Sequence, residues 1–203
     1  MQRIPLQLLL LASASPRRSA LLRQIFMPHQ VRIANIDESR LPAEPPGDYV
    51  VRLACAKAQR IWNRLEADDI QPVLGADTTV ALGEEIFGKP RDRQEGIAML
   101  QRLAGQTHQV YTAVALCHAG KTDWRLSKSE VSFAELSVAD CEAYWNSGEP
   151  QDKAGGYAVQ GLAAAFITEI KGSYSGVMGL PLAETAELLK QIGWSLTLAS
   201  DGV

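Results

Sequence analysis

Basic side chains that could bind phosphate groups recur at three places in the sequence. The first is the segment SASPRR at residues 13–18, where an apolar run ends and a helix is predicted to begin. Backbone N–H groups at a helix N-terminus and paired guanidinium groups both favour a bound anion. A capped surface helix with two solvated arginines would show the same local pattern, so this segment alone leaves both interpretations open.

The second of these places is Lys57, which lies at the centre of an apolar helix face. The apolar residues that recur around it with helical spacing are Val50, Leu53, Ala54, Ala58 and Ile61. Because an unpaired buried ammonium is costly, Lys57 must either extend to solvent or meet an anion. The functional interpretation is a phosphate or carboxylate partner in a cleft.

Asp77 is an acid that separates two apolar segments typical of a β-strand. It follows Gly75 and Ala76 and precedes two threonines. A carboxylate at such a break can bind a metal ion or orient a water molecule. A bulge closed by an Asx-turn would need the same residue types, so the alternative stays open.

Two glycine-containing turns carry the remaining candidates. Lys89 stands between Gly88 and Pro90 after a predicted hairpin, although an exposed turn lysine would look the same. The segment DKAGGYAVQG at residues 152–161 allows close approach of the backbone to a ligand and offers the amide of Gln160. Its alternative is a flexible loop with a surface ion pair. Together, four basic residues, an acid and glycine turns are typical of polyphosphate binding with a divalent metal.

The elements that must position these residues alternate between strands, helices and hairpins, which predicts one α/β domain over residues 1–203. The apolar start resembles a secretory signal, but the helix start directly behind it favours a buried strand. The predicted strands include 6–12, 29–36 and 195–199, the hairpin 107–117 with 124–136, and an apolar strand ending near Ile170. Helices are predicted to begin at Ser15–Pro16, at a D-x-x-E capping box formed by Asp92 and Glu95, and at a cap formed by Ser137 and Asp140.

Composition excludes several classes of protein. The chain is 46% hydrophobic and 21% charged, with a net charge of −3, as expected for a globular protein that is not a general nucleic-acid binder. Its sequence has no 18-residue apolar run, so we expect no membrane span. The scattered Cys55, Cys117 and Cys141 argue against a disulfide framework and favour a reducing cytoplasm.

Ordered motifs along nearly the whole chain resemble the Maf-like family of nucleoside triphosphate pyrophosphatases. The motifs are LASASPRRSALL at 11–22, the acidic pair at 37–38, VVRLACAKA at 50–58, GADTTVALGEEIFGKP at 75–90, LAGQTHQVYTAVAL at 103–116, DKAGGYAVQG at 152–161 and GSYSGVMGLPL at 172–182. The resemblance implies an inosine-triphosphatase-like α/β fold, with an elongated mixed β-sheet flanked by helices and two lobes around a cleft. It also implies a homodimer, and hydrolysis of a nucleoside triphosphate to the monophosphate and pyrophosphate with Mg, Mn or Co.

The resemblance assigns roles to individual residues. Asp77 matches the catalytic proton acceptor, and Glu38 with Asp77 would hold the metal. The positions matching phosphate-binding residues are Ser13, Arg17, Arg18, Lys57 and Lys89. Asp152 and Lys153 match a pair at the cleft edge. Neighbouring cations are expected to keep Asp77 ionised at neutral pH.

Three positions associated with the choice of base, Arg17, Thr78 and Gln160, match the dTTP/UTP branch of the family. A neutral amide at Gln160 can pair with the O4/N3 edge of thymine or uracil. The resemblance therefore implies clearance of canonical or modified pyrimidine nucleotides. The alternatives are a 7-methyl-GTP pyrophosphatase, or a nucleotide-binding regulator of septum formation without catalysis.

Overall fold

The computed structural model describes residues 8–66 and 71–195. Within these ranges, seven strands form a mixed sheet in the order β2-β1-β3-β5-β6-β7, with β4 paired to β3. The strands are β1 (Leu9–Leu11), β2 (His29–Val31), β3 (Val73–Leu82), β4 (Glu85–Phe87), β5 (Thr107–His118), β6 (Lys121–Phe133) and β7 (Ile167–Lys171). Strand β1 runs parallel to β2 and β3, whereas the β3–β4 and β6–β7 pairs are antiparallel. The predicted mixed α/β class is confirmed.

Six α-helices and three short 3-10 segments accompany the sheet in the described part of the chain. The helices are α1 (Pro16–Gln24), α2 (Pro46–Trp62), α3 (Arg93–Leu103), α4 (Val138–Asn146), α5 (Tyr174–Met178) and α6 (Leu182–Leu189). The 3-10 segments are Ala154–Gly156, Leu162–Ala165 and Lys190–Ile192. Among the helices described, none has the length and apolar character needed to cross a membrane.

The chain divides into two compact units. The first comprises the described residues within 1–77, 112–126 and 179–203, and the second comprises residues 78–111 and 127–178. The expectations of a single domain over 1–203, of two lobes around a cleft and of an inosine-triphosphatase-like fold remain predictions.

Packing of α2 against β3 organises the first unit. The helix buries the face predicted from its spacing, including Lys57. Gly75 in β3 lies so close to α2 that a Cβ atom there would overlap the carbonyl oxygen of Ala54. Only glycine permits this approach, which places the start of β3 directly against the helix that carries Lys57.

The second unit has a core of aliphatic and aromatic side chains around α3, α4 and β6. Helix α4 begins with the expected reciprocal cap, in which Ser137 and Asp140 each accept from the other's backbone N–H. At α3, Asp92 accepts from the N–H of Glu95, but the Glu95 carboxylate accepts from Arg91 N instead of Asp92 N. Half of the predicted box at α3 is therefore present.

Two predicted strands differ from the structure. Strand β2 covers three residues instead of 29–36, and the apolar residues 162–165 form a 3-10 turn ahead of β7. The strand at 29–36 and the apolar strand toward Ile170 were thus predicted too long. The predicted strand 195–199 lies, except for Ser195, outside the described residues, as do Leu6 and Gln7 of the first predicted strand.

Candidate active site

Lys57 joins two carboxylates in the first unit. Its Nζ donates to Asp77 Oδ1 at 2.6 Å and lies 2.8 Å from Glu38 Oε1. The side chains of Lys57 and Asp77 are 10% and 9% exposed, while that of Glu38 is 53% exposed. Of the two alternatives for Lys57, extension to solvent or contact with an anion, the structure shows the second. The lysine links a buried carboxylate to one at the surface.

Asp77 does not interrupt its strand. Strand β3 runs without a break through Val73–Leu82, and Asp77 is buried in the middle of it. The strand break expected from the sequence is therefore wrong. A carboxylate in the middle of a strand keeps a fixed direction because the backbone on both sides is hydrogen-bonded.

Burial raises the pKa of the Asp77 carboxyl, against the opposing effects of Lys57 and Arg18. Lys57 and Arg18 do lower the pKa, as expected of neighbouring cations, but removal of the carboxylate from water has the larger effect. That Asp77 is ionised at neutral pH stays a prediction. A higher pKa makes Asp77 a stronger base than an exposed aspartate, which suits it to accept a proton from water.

Arg18 holds the end of β1 against β3. Its Nη1 donates to Ser13 Oγ at 3.0 Å and to Ala76 O at 2.9 Å, and its Nε donates to Gly179 O at 2.8 Å. Arg18 thus supports the residue immediately before Asp77. Arg17 precedes it in the first turn of α1 and is half-buried. Helix α1 begins at the predicted Ser15–Pro16 pair, although it is Ser13 Oγ that accepts from Ser15 N.

The remaining candidate residues lie in the second unit. Thr78 is half-buried in β3, and the side chains of Lys89 and Gln160 are exposed. Gly155 N donates to Gly88 O at 3.0 Å, so the turn before Lys89 contacts the 152–161 segment. This segment turns through left-handed backbone at Asp152, Gly155 and Gly156, with φ of 60°, 69° and 67°.

The structure thus groups the candidate residues by unit. In the first unit it connects Ser13 with Arg18, and Lys57 with both Glu38 and Asp77. In the second unit it places the Lys89 turn beside the segment with Asp152, Lys153 and Gln160. The roles of these residues remain predictions.

A divalent cation is compatible with the acids present. No group of three or more His, Cys, Asp or Glu side chains that could hold a metal occurs within residues 8–66 and 71–195. Glu38 and Asp77, both within 3 Å of one ammonium nitrogen, offer two carboxylates side by side. Magnesium is commonly held by one or two carboxylates, with water and substrate phosphates as the other ligands. The pair therefore fits a cation that binds together with a polyphosphate.

The residues that hold the loop containing Glu38 were not predicted from the sequence. Arg52 Nε donates to Glu44 Oε1 at 2.6 Å, and its Nη2 donates to Ser39 O at 3.0 Å. Tyr49 Oη donates to Glu38 O at 2.9 Å. These contacts hold the loop after β2 against α2. Arg52 lies outside the apolar face of α2. The spacing of apolar residues in the sequence therefore could not indicate that Arg52 supports the loop.

Comparisons with known proteins identify relatives over nearly the full length of the chain. A family model described as "Maf-like protein" matches residues 8–192. The dTTP/UTP pyrophosphatase of Pseudoalteromonas atlantica is 48% identical over 186 residues, covering 91% of this chain and 97% of the relative. That of Nitrosomonas europaea is 50% identical over 196 residues, covering 92% and 95%. The protein of the same name from Xanthomonas campestris is 50% identical over 188 residues, covering 92% and 99%.

The solved structure of the Staphylococcus aureus Ham1 protein superposes with a TM-score of 0.45 and 13% identity, covering 63% of this chain and 72% of that chain. This similarity is too low to assign the fold. The family model, in contrast, spans the residues that carry Lys57, Asp77 and the 152–161 segment. By the extent of these two matches, the chain belongs to the Maf-like protein family.

Proposed function

We propose that this chain is a dTTP/UTP pyrophosphatase that hydrolyses its substrate to the nucleoside monophosphate and pyrophosphate. The observation that carries the proposal is the 48–50% identity to relatives of that name, over more than nine-tenths of both chains. The Lys57, Asp77 and Glu38 cluster supports it, because a buried acid beside an ammonium suits hydrolysis of a phosphoric anhydride.

In the proposed mechanism Asp77 orients and deprotonates the water that attacks the α-phosphorus. Its burial fixes its direction and raises its pKa, and both effects favour proton acceptance. Lys57 has three N–H donors, of which two face Asp77 and Glu38. The third can bind a phosphate oxygen, so one residue would align the base and the substrate.

We propose that Glu38 and Asp77 hold a divalent cation, Mg, Mn or Co. When bound, such a cation would neutralise charge on the triphosphate and on the departing pyrophosphate. The exposed Glu38 carboxylate can receive the ion from solvent, and the buried Asp77 can anchor it.

We assign the phosphate-binding and base-reading roles from the positions that match the family's motifs. The groups proposed to bind phosphate oxygens are Ser13, Arg17, Arg18, Lys57 and Lys89, with Asp152 and Lys153 at the cleft edge. We assign reading of the base to Arg17, Thr78 and Gln160. The exposed Gln160 amide can donate to O4 and accept from N3–H of thymine or uracil.

We further propose that the enzyme is a cytoplasmic homodimer. Cys55, Cys117 and Cys141 are all free thiols, which favours the cytoplasm, where thiols stay reduced. A homodimer is proposed from the family resemblance, and light scattering of the purified chain would give its mass. The proposed role in the cell is removal of canonical or modified pyrimidine nucleotides.

The test is pyrophosphate release from a panel of nucleoside triphosphates, with each metal and with a chelator. We expect dTTP and UTP to be the best substrates, and activity to disappear with the chelator. Preference for 7-methyl-GTP would assign the chain to the other branch. Tight nucleotide binding without pyrophosphate release would favour the regulator of septum formation.

A further inference from the structure

Gln160 is an exposed residue within a segment that is otherwise firmly packed. The three residues before it, Tyr157, Ala158 and Val159, are 5–6% exposed, and Ala163 after it is fully buried. All of them lie in the second unit. The position of the Gln160 amide therefore depends on what holds the backbone on each side.

The N-terminal side is held by two buried side chains. Ala158 N donates to Tyr144 Oη at 3.1 Å, and the Tyr157 hydroxyl lies 2.8 Å from His108 Nε2. Burial lowers the pKa of His108 to about 4, so the imidazole is neutral near pH 7 and this contact joins two neutral groups. Both contacts hold the backbone just before Gln160.

The C-terminal side is held by one carboxylate. Leu162 N donates to Glu149 Oε2 at 2.8 Å and Ala163 N donates to Glu149 Oε1 at 3.2 Å. Gly161 packs against the same group, since a Cβ atom there would overlap Glu149 Oε2. Glu149 therefore caps the 3-10 turn that begins immediately after Gln160 and Gly161.

Tyr144 and Glu149 connect the two sides. The Tyr144 hydroxyl donates to Glu149 Oε1 at 2.7 Å while it accepts from Ala158 N. Burial of Glu149 is outweighed by its three donors, which lower the pKa of the carboxyl and keep it able to accept from all of them. Helix α4, which carries Tyr144 just before Glu149, is itself fixed by its capping box.

We propose that Glu149 and Tyr144 are positioning residues that set base selectivity through Gln160. The inference rests on the proposed function, in which Gln160 reads the base. An amide discriminates between bases only if its donor and acceptor ends stay in place, and a mispaired polar contact then penalises the wrong base. Loosening the segment should weaken this discrimination more than the chemical step, because Asp77 belongs to the other unit.

The first test compares Glu149→Gln and Tyr144→Phe with the wild type, using kcat and KM for dTTP, UTP, CTP and GTP. We expect the ratio of kcat/KM for dTTP over GTP to fall about 5- to 50-fold, while kcat for dTTP changes less than about threefold. Glu142→Gln is the matched control, since Glu142 lies on α4 but pairs with Arg93 at the surface. An unchanged ratio in both variants would overturn the proposal. Unfolding of both variants would also overturn it, since the contacts would then serve stability.

A double-variant cycle tests whether the effect passes through Gln160. Gln160→Ala should lower the same ratio, and adding Glu149→Gln should lower it no further. Additive losses would contradict action through Gln160. An unchanged dTTP/GTP ratio of kcat/KM in Gln160→Ala would also overturn the inference. The proposed function would still hold in that case if the wild type turned over dTTP rapidly.

Backbone hydrogen exchange tests the positioning itself without any substrate. We expect the amides of Ala158, Leu162 and Ala163 to exchange at least about tenfold faster in Glu149→Gln than in the wild type or Glu142→Gln. Unchanged exchange would overturn the positioning role. If the wild type hydrolysed neither dTTP nor UTP, the proposed function would fail. The inference would then still be decided by the hydrogen-exchange rates and by the ratios of kcat/KM among the triphosphates that the enzyme does hydrolyse.

Discussion

At the scale of single residues, the shared contact of Lys57 with Asp77 and Glu38 is the centre of the candidate active site. A lysine surrounded by apolar side chains is costly without a partner, and here two carboxylates lie within 3 Å of its nitrogen. The same lysine limits how far burial can raise the pKa of Asp77. Substitutions at either residue should therefore act on both stability and turnover.

Asp77→Asn should abolish most of the activity while the protein remains folded. Asparagine keeps an oxygen that can accept from Lys57 but loses the negative charge and the basicity. General-base assistance is worth about 10²–10⁴-fold, so we expect turnover of dTTP under saturating magnesium to fall by at least about 10². Asp123→Asn, at an exposed position of β6, is the control. A folded Asp77→Asn protein with more than about a tenth of wild-type turnover would contradict the role of Asp77.

Lys57→Met should destabilise the protein at neutral pH, although the apolar face alone would favour methionine. The change leaves the Asp77 carboxylate buried without its hydrogen-bond donor, at a cost of about 1–3 kcal/mol. Because the pKa of Asp77 would rise further, the lost stability should return as the pH falls and the carboxyl takes up a proton. Urea unfolding at pH 7 and pH 4 measures this. The double variant with Asp77→Asn should be more stable at pH 7 than Lys57→Met, and the reverse order would contradict the pairing.

At the scale of elements, the contact of β3 with α2 sets the distance between Asp77 and Lys57. Gly75 makes the contact possible because it has no side chain, and Lys57 follows on the same helix. The loop after β2 is a second support, since Arg52 and Glu44 hold it against α2. Each element thus carries one partner of the site.

Gly75→Ala should reduce both stability and turnover. The added methyl group would meet the backbone of α2, which cannot move without shifting Lys57, and overpacking of this kind costs about 1–3 kcal/mol. Gly88→Ala is the control for stability, because a Cβ atom there meets nothing within 4 Å. A melting temperature of Gly75→Ala equal to that of the wild type would show that the helix and strand are less tightly packed than the structure indicates.

Glu44→Gln should lower stability at neutral pH but have little effect in strong acid. Hydrogen bonds from Arg52 outweigh burial and lower the pKa of Glu44 from 4.5 to about 2. The stabilisation is therefore complete above about pH 5 and is lost as the pH falls toward 2. The side chain is 8% exposed, and we expect a difference of about 1–3 kcal/mol between wild type and variant at pH 7. Urea unfolding should show this difference shrinking at pH 2.5, and a constant difference would refute the assigned pKa.

At the scale of the whole molecule, a buried histidine makes folding sensitive to acid. His108 is fully buried, one ring nitrogen contacts Tyr157, and its pKa is lowered by burial to about 4. In the unfolded chain, His108 takes up a proton below about pH 6.5. In the folded chain it takes up that proton only below about pH 4. Acid therefore favours unfolding throughout this interval.

We expect the free energy of unfolding to fall by up to about 3 kcal/mol between pH 7 and pH 4 through His108 alone. His108→Phe removes this titration and leaves the Tyr157 hydroxyl without its partner. The variant should be less stable than wild type at pH 7, and its stability should change less between pH 7 and pH 4. A parallel pH dependence in the two proteins, measured by urea unfolding, would show that His108 is not responsible.

The sequence by itself determined the features that depend on neighbours along the chain. The apolar face of α2, the start of α1 at Ser15–Pro16, the cap of α4 and the hairpin of β5 with β6 all follow from local spacing and local hydrogen bonds. The ordered motifs likewise identified the family and the candidate residues, because residue types at fixed spacing are themselves sequence information.

Tertiary structure decided what depends on contacts between distant residues. The predicted strand 29–36 is shortened because its neighbour β1 is three residues long, and residues 162–165 form a turn because Glu149 accepts from Leu162 and Ala163. The pairing of Lys57 with Asp77, and the burial that raises the pKa of that acid, arise from α2 packing on β3. Local patterns could not predict these features, since desolvation and long-range hydrogen bonds depend on which segments meet in space.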